Sequence, residues 1–438
     1  MIEVVLVGAG DRANEYSKYA LKSPDKMKVV GIVDPDKIRT QIMKERYNVP
    51  DENCFESVED FVKREKFADA VINGTMDHLH VKTSIPVLRN GYDMLLEKPF
   101  AVNLTELKEL VDVVKETGRR VYICHVLRYT QFYSEIKQRL LNGEIGKVIS
   151  IQQDEHVSYH HMAVSYVRGK WRSEKVCFAP MLLAKSCHDI DLMMWMLSDT
   201  EPEAVSSFGG DFQFTPDKKP QEAGTRCMLD CPLNDECIFS AESNYVEPHR
   251  WDQYVNQALE AKGHNWKLFE PLTEEKKAIL VDSLNTYNDY GKCVWDCERD
   301  GNVDHQSVIV NFKNGATGVF NMVGGTAKSE RNIHIIGTKG EIKGEFSTGK
   351  YRIRTINPKA EGGYTEEEID INMLADSAGE RGGHGGGDIR LIADFCNALE
   401  GGEKSISCTD IMDSTKSHMV VFNAEKARKT GEIVHINM

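Results

Sequence analysis

An apolar run, Ile2–Val7, breaks directly into Gly8-Ala9-Gly10 and then into a helix-like stretch, residues 12–22. No other feature limits the fold as much. A strand without clean polar alternation is one buried on both faces, as parallel sheets covered by helices require. The pattern then repeats. Met27–Val33 reads as a second strand ending at Asp34, and residues 70–72, Asp93–Leu96 and 120–124 read as three more. Helical periodicity covers residues 37–47, 57–65, 78–90 and 104–117 between them. Strands joined by single helices imply right-handed crossovers, so the first 125 residues predict an α/β, doubly wound (Rossmann) parallel sheet.

After residue 125 the grammar changes. A helix at 132–142 precedes an alternating strand at 147–155. Further strands follow at 306–313, 317–322, 331–337, 340–345 and 350–357, with turn glycines between them. This predicts a second, α+β region over 126–438 with a mostly antiparallel open sheet. It carries an insertion at about 209–300 and C-terminal helices within 388–430. A glycine-rich loop at 379–387, holding His384, reads equally as a connector or as a lid reaching a cleft.

Composition narrows the function class. The 438 residues suggest two or three domains, and 41% hydrophobic with 28% charged residues is the balance of a globular enzyme. A net charge of −14 disfavours general binding to nucleic acid or anionic membranes. No apolar run approaches the ~18 residues of a membrane helix. The opening segment contains Glu3 and runs into glycines, unlike a signal peptide. The expected location is therefore cytoplasmic, with the eleven cysteines mostly reduced. Five of them cluster as Cys227-x3-Cys231-x5-Cys237 and Cys293-x3-Cys297. Such thiols suit either a structural zinc or iron–sulfur site or plain packing as small hydrophobes.

The glycine turn has a chemical reading. Gly8 permits the tight turn, Gly10 lets a pyrophosphate approach the backbone, and Ala13 lets the helix pack on the sheet. With Ala9, Asp11 and Arg12 these residues open a helix whose N–H groups and dipole favour phosphate. Asp34 at the end of the second strand would accept hydrogen bonds from ribose hydroxyls, which favours NAD. Arg39 keeps NADP open, since its guanidinium suits a 2′-phosphate.

Two further segments narrow the reading: Glu97-Lys98-Pro99-Phe100 after the fourth predicted strand, and Cys187-His188-Asp189-Ile190-Asp191 opening a helix. Together with Gly8–Ala13 and Thr75–His80, the chain resembles the glucose–fructose oxidoreductase / inositol dehydrogenase / rhizopine-catabolism (Gfo/Idh/MocA) family over nearly its whole length, more loosely in the insertion. The resemblance implies an NAD(P)-dependent dehydrogenase acting on a sugar, cyclitol or related polyol. Thr75, His80, Glu97 and Pro99 would contact the cofactor, with Pro99 in the cis form. Lys98 would hold the reacting hydroxyl, and His188 would be the general acid/base. Asp191 would orient its helix. The resemblance also implies a homodimer or homotetramer formed through an open, mostly apolar sheet face within residues 306–357.

The chain departs from the family pattern in one place. Ala184 stands where the family commonly has an aspartate, taken to lie one helical turn before the histidine, and Lys185 stands beside it. His188 then works either with Lys98 alone or with Lys185. Tyr129, His156, Arg168, Trp171, Lys185 and His384 are expected to bind the substrate, because aromatic faces and cations suit polyol recognition. Each site residue also has a packing alternative: Lys98 snorkelling at a strand end, His188 bonded to backbone, His80 satisfied within its helix. Two other activities fit the same motifs. One is an NAD-retaining glycosidase that uses transient oxidation at C3. The other is a cofactor-sensing regulator without turnover.

Overall fold

The computed structural model describes residues 1–248, 250–260, 262–264, 272–373 and 383–437. Its first sheet contains β1 (Ile2–Val7), β2 (Met27–Val33), β3 (Cys54–Phe55), β4 (Ala70–Asn73), β5 (Asp93–Leu96) and β6 (Val121–Ile123). They lie in the order β3-β2-β1-β4-β5-β6, all pairs parallel. The connectivity reverses between β1 and β4, which opens a crevice at the C-terminal ends of those strands. The strand β3 escapes sequence reading because two residues carry no period. It is placed only by pairing with Ile32 and Val33, and the helix expected after it shrinks to Val58–Phe61.

Alternate residues of β1 feed opposite cores. Val4 and Leu6 pack in a cluster with Tyr16 and Met27, while Val5 and Val7 join Phe61, Val87 and Leu110. Burial of both faces is why this strand lacks alternation. The first of these cores also takes Leu391, Ile392 and Phe395 from the helix Gly387–Leu399. A helix from the far end of the chain thus covers the first sheet.

The second sheet contains β7 (Val148–Ser158), β8 (Pro202–Gly210), β9 (His305–Phe312), β10 (Thr317–Thr326), β11 (Glu330–Gly337), β12 (Gly340–Glu345), β13 (Lys350–Ile356), β14 (Tyr364–Asp370) and β15 (Val434–His435). The order is β14-β13-β12-β11-β7-β10-β9-β8-β15, antiparallel except for the β7–β10 pair. Ile151, Val308, Val310, Phe320, Ile333 and Ile335 bury the inner face, in one core with Met193 of the helix Cys187–Met196 and Val420 of the helix Ile411–Thr430. The outer face corrects the expectation of a mostly apolar surface. Gln152, Asp154, Ser307, Asn311, Asn332 and His334 point outward, and the apolar exceptions include Phe208, Ile309, Val323 and Ile356. Strict alternation on a one-sided sheet puts polar residues there.

The insertion packs a small core of its own, in which Cys227, Tyr245, Leu259, Leu280 and Leu284 meet Val164. Among the described residues, no helix is long and apolar enough to cross a membrane.

Candidate active site

A cavity of about 970 Å³ runs from the β1–β4 crevice to the second sheet. At its first end, Gly8 has φ +83°, a conformation that favours glycine, and a Cβ there would meet the backbone of Gly74 and Thr75 at 3.0 Å. A Cβ on Gly10 would meet nothing within 4 Å, so the turn presents bare backbone to open space. Gly10 precedes the helix Asp11–Lys22, and no side chain caps that helix's first N–H groups. Ala13 is fully buried, and a Cβ on Gly74 would approach it to 3.2 Å. This cradle fits a pyrophosphate: donors, dipole and space coincide.

Asp34 is buried beside the turn. Its Oδ2 accepts from the Ala9 N–H at 2.6 Å and its Oδ1 from the Asp36 N–H at 2.8 Å. The carboxylate therefore locks the turn and still has lone pairs for a ribose. Thr75 and Arg39 also line the cavity. His80 is buried below it, its ring nitrogens 2.6 Å from the Pro99 carbonyl oxygen and 3.0 Å from that of Thr75. It ties two loops together and is not a lining residue.

The loop after β5 carries the next group. Glu97 is buried and accepts from Arg12 Nε at 2.7 Å, Tyr16 Oη at 2.5 Å and its neighbour's backbone N–H, Lys98, at 2.7 Å. Arg12 also pairs with Asp388. Burial alone would raise the Glu97 carboxyl, but Arg12 and Lys98 outweigh it and hold it below its usual range. The Lys98–Pro99 peptide is cis. Lys98 Nζ crosses to the second region and donates to the Ala184 carbonyl at 3.0 Å.

That contact revises the geometry expected around position 184. Ala184 ends a short helix, Met181–Ala184, and Cys187 starts another. The chain breaks at Lys185 and Ser186, so residues 184 and 188 do not sit one turn apart on one helix. What position 184 offers the cleft is a carbonyl oxygen. His188 lines the cleft and is nearly buried, with the His125 ring 5.9 Å away. Asp191 accepts a two-pronged pair from Arg128, at 2.7 and 2.6 Å, and anchors the helix base.

Lys185 lines the cleft but turns to Glu155, 3.0 Å away. Arg331 of β11 also pairs with Glu155 and reaches Asp189 at 2.8 Å. Burial pushes the Asp189 carboxyl well up despite Arg331; in Glu155 the same burial is outweighed by Arg331 and Lys185, which hold it well down. Sequence reading missed Glu155 and Arg331 and chose His156 instead. Parity decides this, because on β7 residue 155 faces the buried side and His156 the outer face.

Of the other expected substrate residues, Trp171 lines the cleft and donates Nε1 to Asp77 at 3.1 Å. Tyr129 points away, its hydroxyl donating to Asp394 at 3.0 Å. Arg168 is buried under the insertion, bonded to the carbonyls of Lys292 and Phe239 and to Tyr245. Its five donors make it a clamp for loops there. The His384 side chain and residues 374–382 of the glycine-rich loop region lie outside the described residues. Among the described residues the cleft has an aromatic wall: His161 stacks on Trp251 with centroids 4.6 Å apart, and Tyr166 and Tyr254 lie in the same lining.

All eleven cysteines are free thiols. Cys227 accepts from Arg168 at 3.3 Å and Cys297 donates to the Cys293 carbonyl at 3.4 Å. Among the described residues no three His, Cys, Asp or Glu side chains converge as a metal site.

A family model described as an oxidoreductase family with an NAD-binding Rossmann fold matches residues 2–125, and a GFO/IDH/MocA C-terminal domain matches residues 133–343. A Bacillus subtilis (strain 168) protein named as the oxidoreductase YteT is 25% identical over 383 residues, covering 84% of this chain and 81% of that protein. The scyllo-inositol 2-dehydrogenase (NAD(+)) of the same strain is 29% identical over 150 residues, which are 34% of this chain and 42% of its own length. A solved levoglucosan dehydrogenase, in complex with NADH and levoglucosan, shares the fold with a TM-score of 0.69 at 14% identity and full coverage of both chains.

Proposed function

This chain belongs to the GFO/IDH/MocA oxidoreductase family, with an NAD-binding Rossmann fold at its N-terminal end, and from that premise we propose that it oxidises or reduces a sugar, cyclitol or related polyol. The observation that carries the reading is that Lys98, on the loop after β5, and His188, on the helix Cys187–Met196, line the same cleft as Gly8 and Gly10.

The bare turn at Gly8, Ala9 and Gly10, the helix start at Asp11, Arg12 and Ala13, and Asp34 and Thr75 would hold NAD, in preference to NADP. When bound, the nicotinamide supplies a hydride acceptor or donor. The rest falls to the chain. Glu97, fixed by Arg12 and Tyr16, accepts the Lys98 N–H and so fixes the loop that aims Lys98. Lys98 spends one N–H on Ala184 and has two left for the reacting oxygen. His188 takes the hydroxyl proton during oxidation and returns it during reduction. The near-complete burial of His188 limits the access of water to this pair. Trp171 and the His161–Trp251 stack offer apolar faces to a sugar ring.

The test is a panel of sugars and cyclitols incubated with the protein and NAD, followed by the absorbance of NADH. Substrate-dependent NADH supports the reading. Glycoside hydrolysis without net NADH would replace it with the glycosidase, and the absence of any turnover would overturn both.

A further inference from the structure

The described cleft residues contributed from residue 125 onward include Lys170, Lys185 and Arg331 but no aspartate or glutamate. Lys170 faces Asp11 and Asp77 of the first region, whereas the acids that balance Lys185 and Arg331 lie beneath. Glu155 and Asp189 have side chains 2% and 3% exposed, whereas Lys185 and Arg331 are each 15% exposed. The ion cluster is thus layered, with carboxylates in the floor and cations at the surface. Lys98 stands next to it, on the carbonyl of residue 184. Over Lys185, Arg331, Lys98, Glu155 and Asp189 the formal charge sums to one positive. Burial of Asp189 favours its neutral form and raises that charge further. Donors also remain. Lys185 uses one N–H on Glu155, and Arg331 uses Nε and Nη2, which leaves Nη1 for a ligand.

Building on the dehydrogenase reading above, we infer that the substrate is a sugar acid whose carboxylate is bound by Lys185 and Arg331 while its ring lies against the aromatic wall. One surplus charge, and a planar guanidinium beside an ammonium, match a singly charged planar carboxylate better than a doubly charged phosphate. Lys98 and His188 then meet a hydroxyl of the same ring. Keeping the cations on a carboxylate floor pre-orients them, and a neutral polyol entering the site leaves them without an anion.

The experiment compares D-galacturonate and D-glucuronate with D-galactose, D-glucose, myo-inositol and D-glucose 6-phosphate, using the full chain with NAD. Calorimetry of the same compounds on the NADH-saturated protein supplies a readout free of turnover. The uronates should exceed their neutral parents in kcat/KM at least tenfold. Lys185→Gln, which retains a donor for Glu155, should cut uronate kcat/KM about 10- to 100-fold, mostly through KM. Lys185→Arg should restore much of the preference and shows that the cluster still folds. Robust NADH formation with neutral or phosphorylated sugars in preference to uronates overturns this inference and leaves the dehydrogenase standing. Lys185-dependent uronate binding without any NAD reduction overturns the dehydrogenase reading but supports acid recognition. Neither binding nor turnover overturns both.

Discussion

Replacing Lys98 by methionine removes the ammonium and keeps most of the stem. Lys98 Nζ sits in the cleft on one neutral acceptor, the Ala184 carbonyl at 3.0 Å. The variant loses that single N–H···O bond, worth about 1 kcal/mol of stability. It also loses the two donors free for the reacting oxygen. A charge-assisted bond that strengthens as the alkoxide develops is worth roughly 1.5–3 kcal/mol, or about 10- to 150-fold. A positioned acid–base group contributes about 10²–10⁴-fold. We therefore expect kcat to fall about 100-fold or more on the best substrate. NAD affinity should change little, because the phosphate cradle at Gly8–Ala13 is untouched. The assay is steady-state NADH formation, with NADH binding followed by fluorescence and folding by the urea midpoint. A kcat loss below tenfold in a folded, NADH-binding variant refutes the role, and Lys185 then becomes the next group to test.

Asp191→Ala strands the buried Arg128 guanidinium with only the half-exposed Asp413, so urea unfolding should show a loss of about 3–5 kcal/mol; less than 1 kcal/mol would contradict the anchor. Asp34→Ala removes both the acceptor of the Ala9 N–H and the proposed ribose contact, so NAD binding should weaken about 10- to 100-fold by calorimetry, and a wild-type preference for NADP would sink the claim. His125 and His418 are held well below the usual histidine range, by burial first and then by nearby positive or imidazole groups. They stay neutral when folded while the unfolded chain takes up protons below about pH 6.5, so stability should drop on acidification from that pH by up to about 1.4 kcal/mol per unit per histidine. A His125→Leu/His418→Leu variant with an unchanged slope would exclude them as the cause. The outer face bearing Phe208, Ile309 and Val323 is expected to pair in a homodimer or homotetramer, so light scattering showing a monomer at micromolar concentration would count against it.

Much of the first sheet was readable because its signals are contiguous. A doubly buried strand, a glycine turn and a helix start follow one another within residues 2–22, and each demands particular residue types for local steric reasons. The Glu97-Lys98-Pro99 loop was legible as a contiguous motif of the family the chain resembles. Strands β3, β8, β14 and β15 were not. The first and last have two residues each, and β14 carries a run of exposed acids with little alternation. Only their neighbours' backbone hydrogen bonds make them strands.

The substrate half of the cleft was decided by tertiary structure. Whether residue 155 or 156 of β7 faces the helices depends on sheet register, since shifting a strand by one residue reverses every side chain. Arg331 reaches Glu155 and Asp189 because β11 pairs with β7 across a long stretch of chain. The break between Met181–Ala184 and Cys187–Met196 turns position 184 into a carbonyl for Lys98, whereas spacing alone implied a side chain above His188. Residue types and local turns thus determined the nucleotide fold, and the family resemblance named Lys98 and His188. Long-range pairing, which no local period encodes, determined what charge surrounds them.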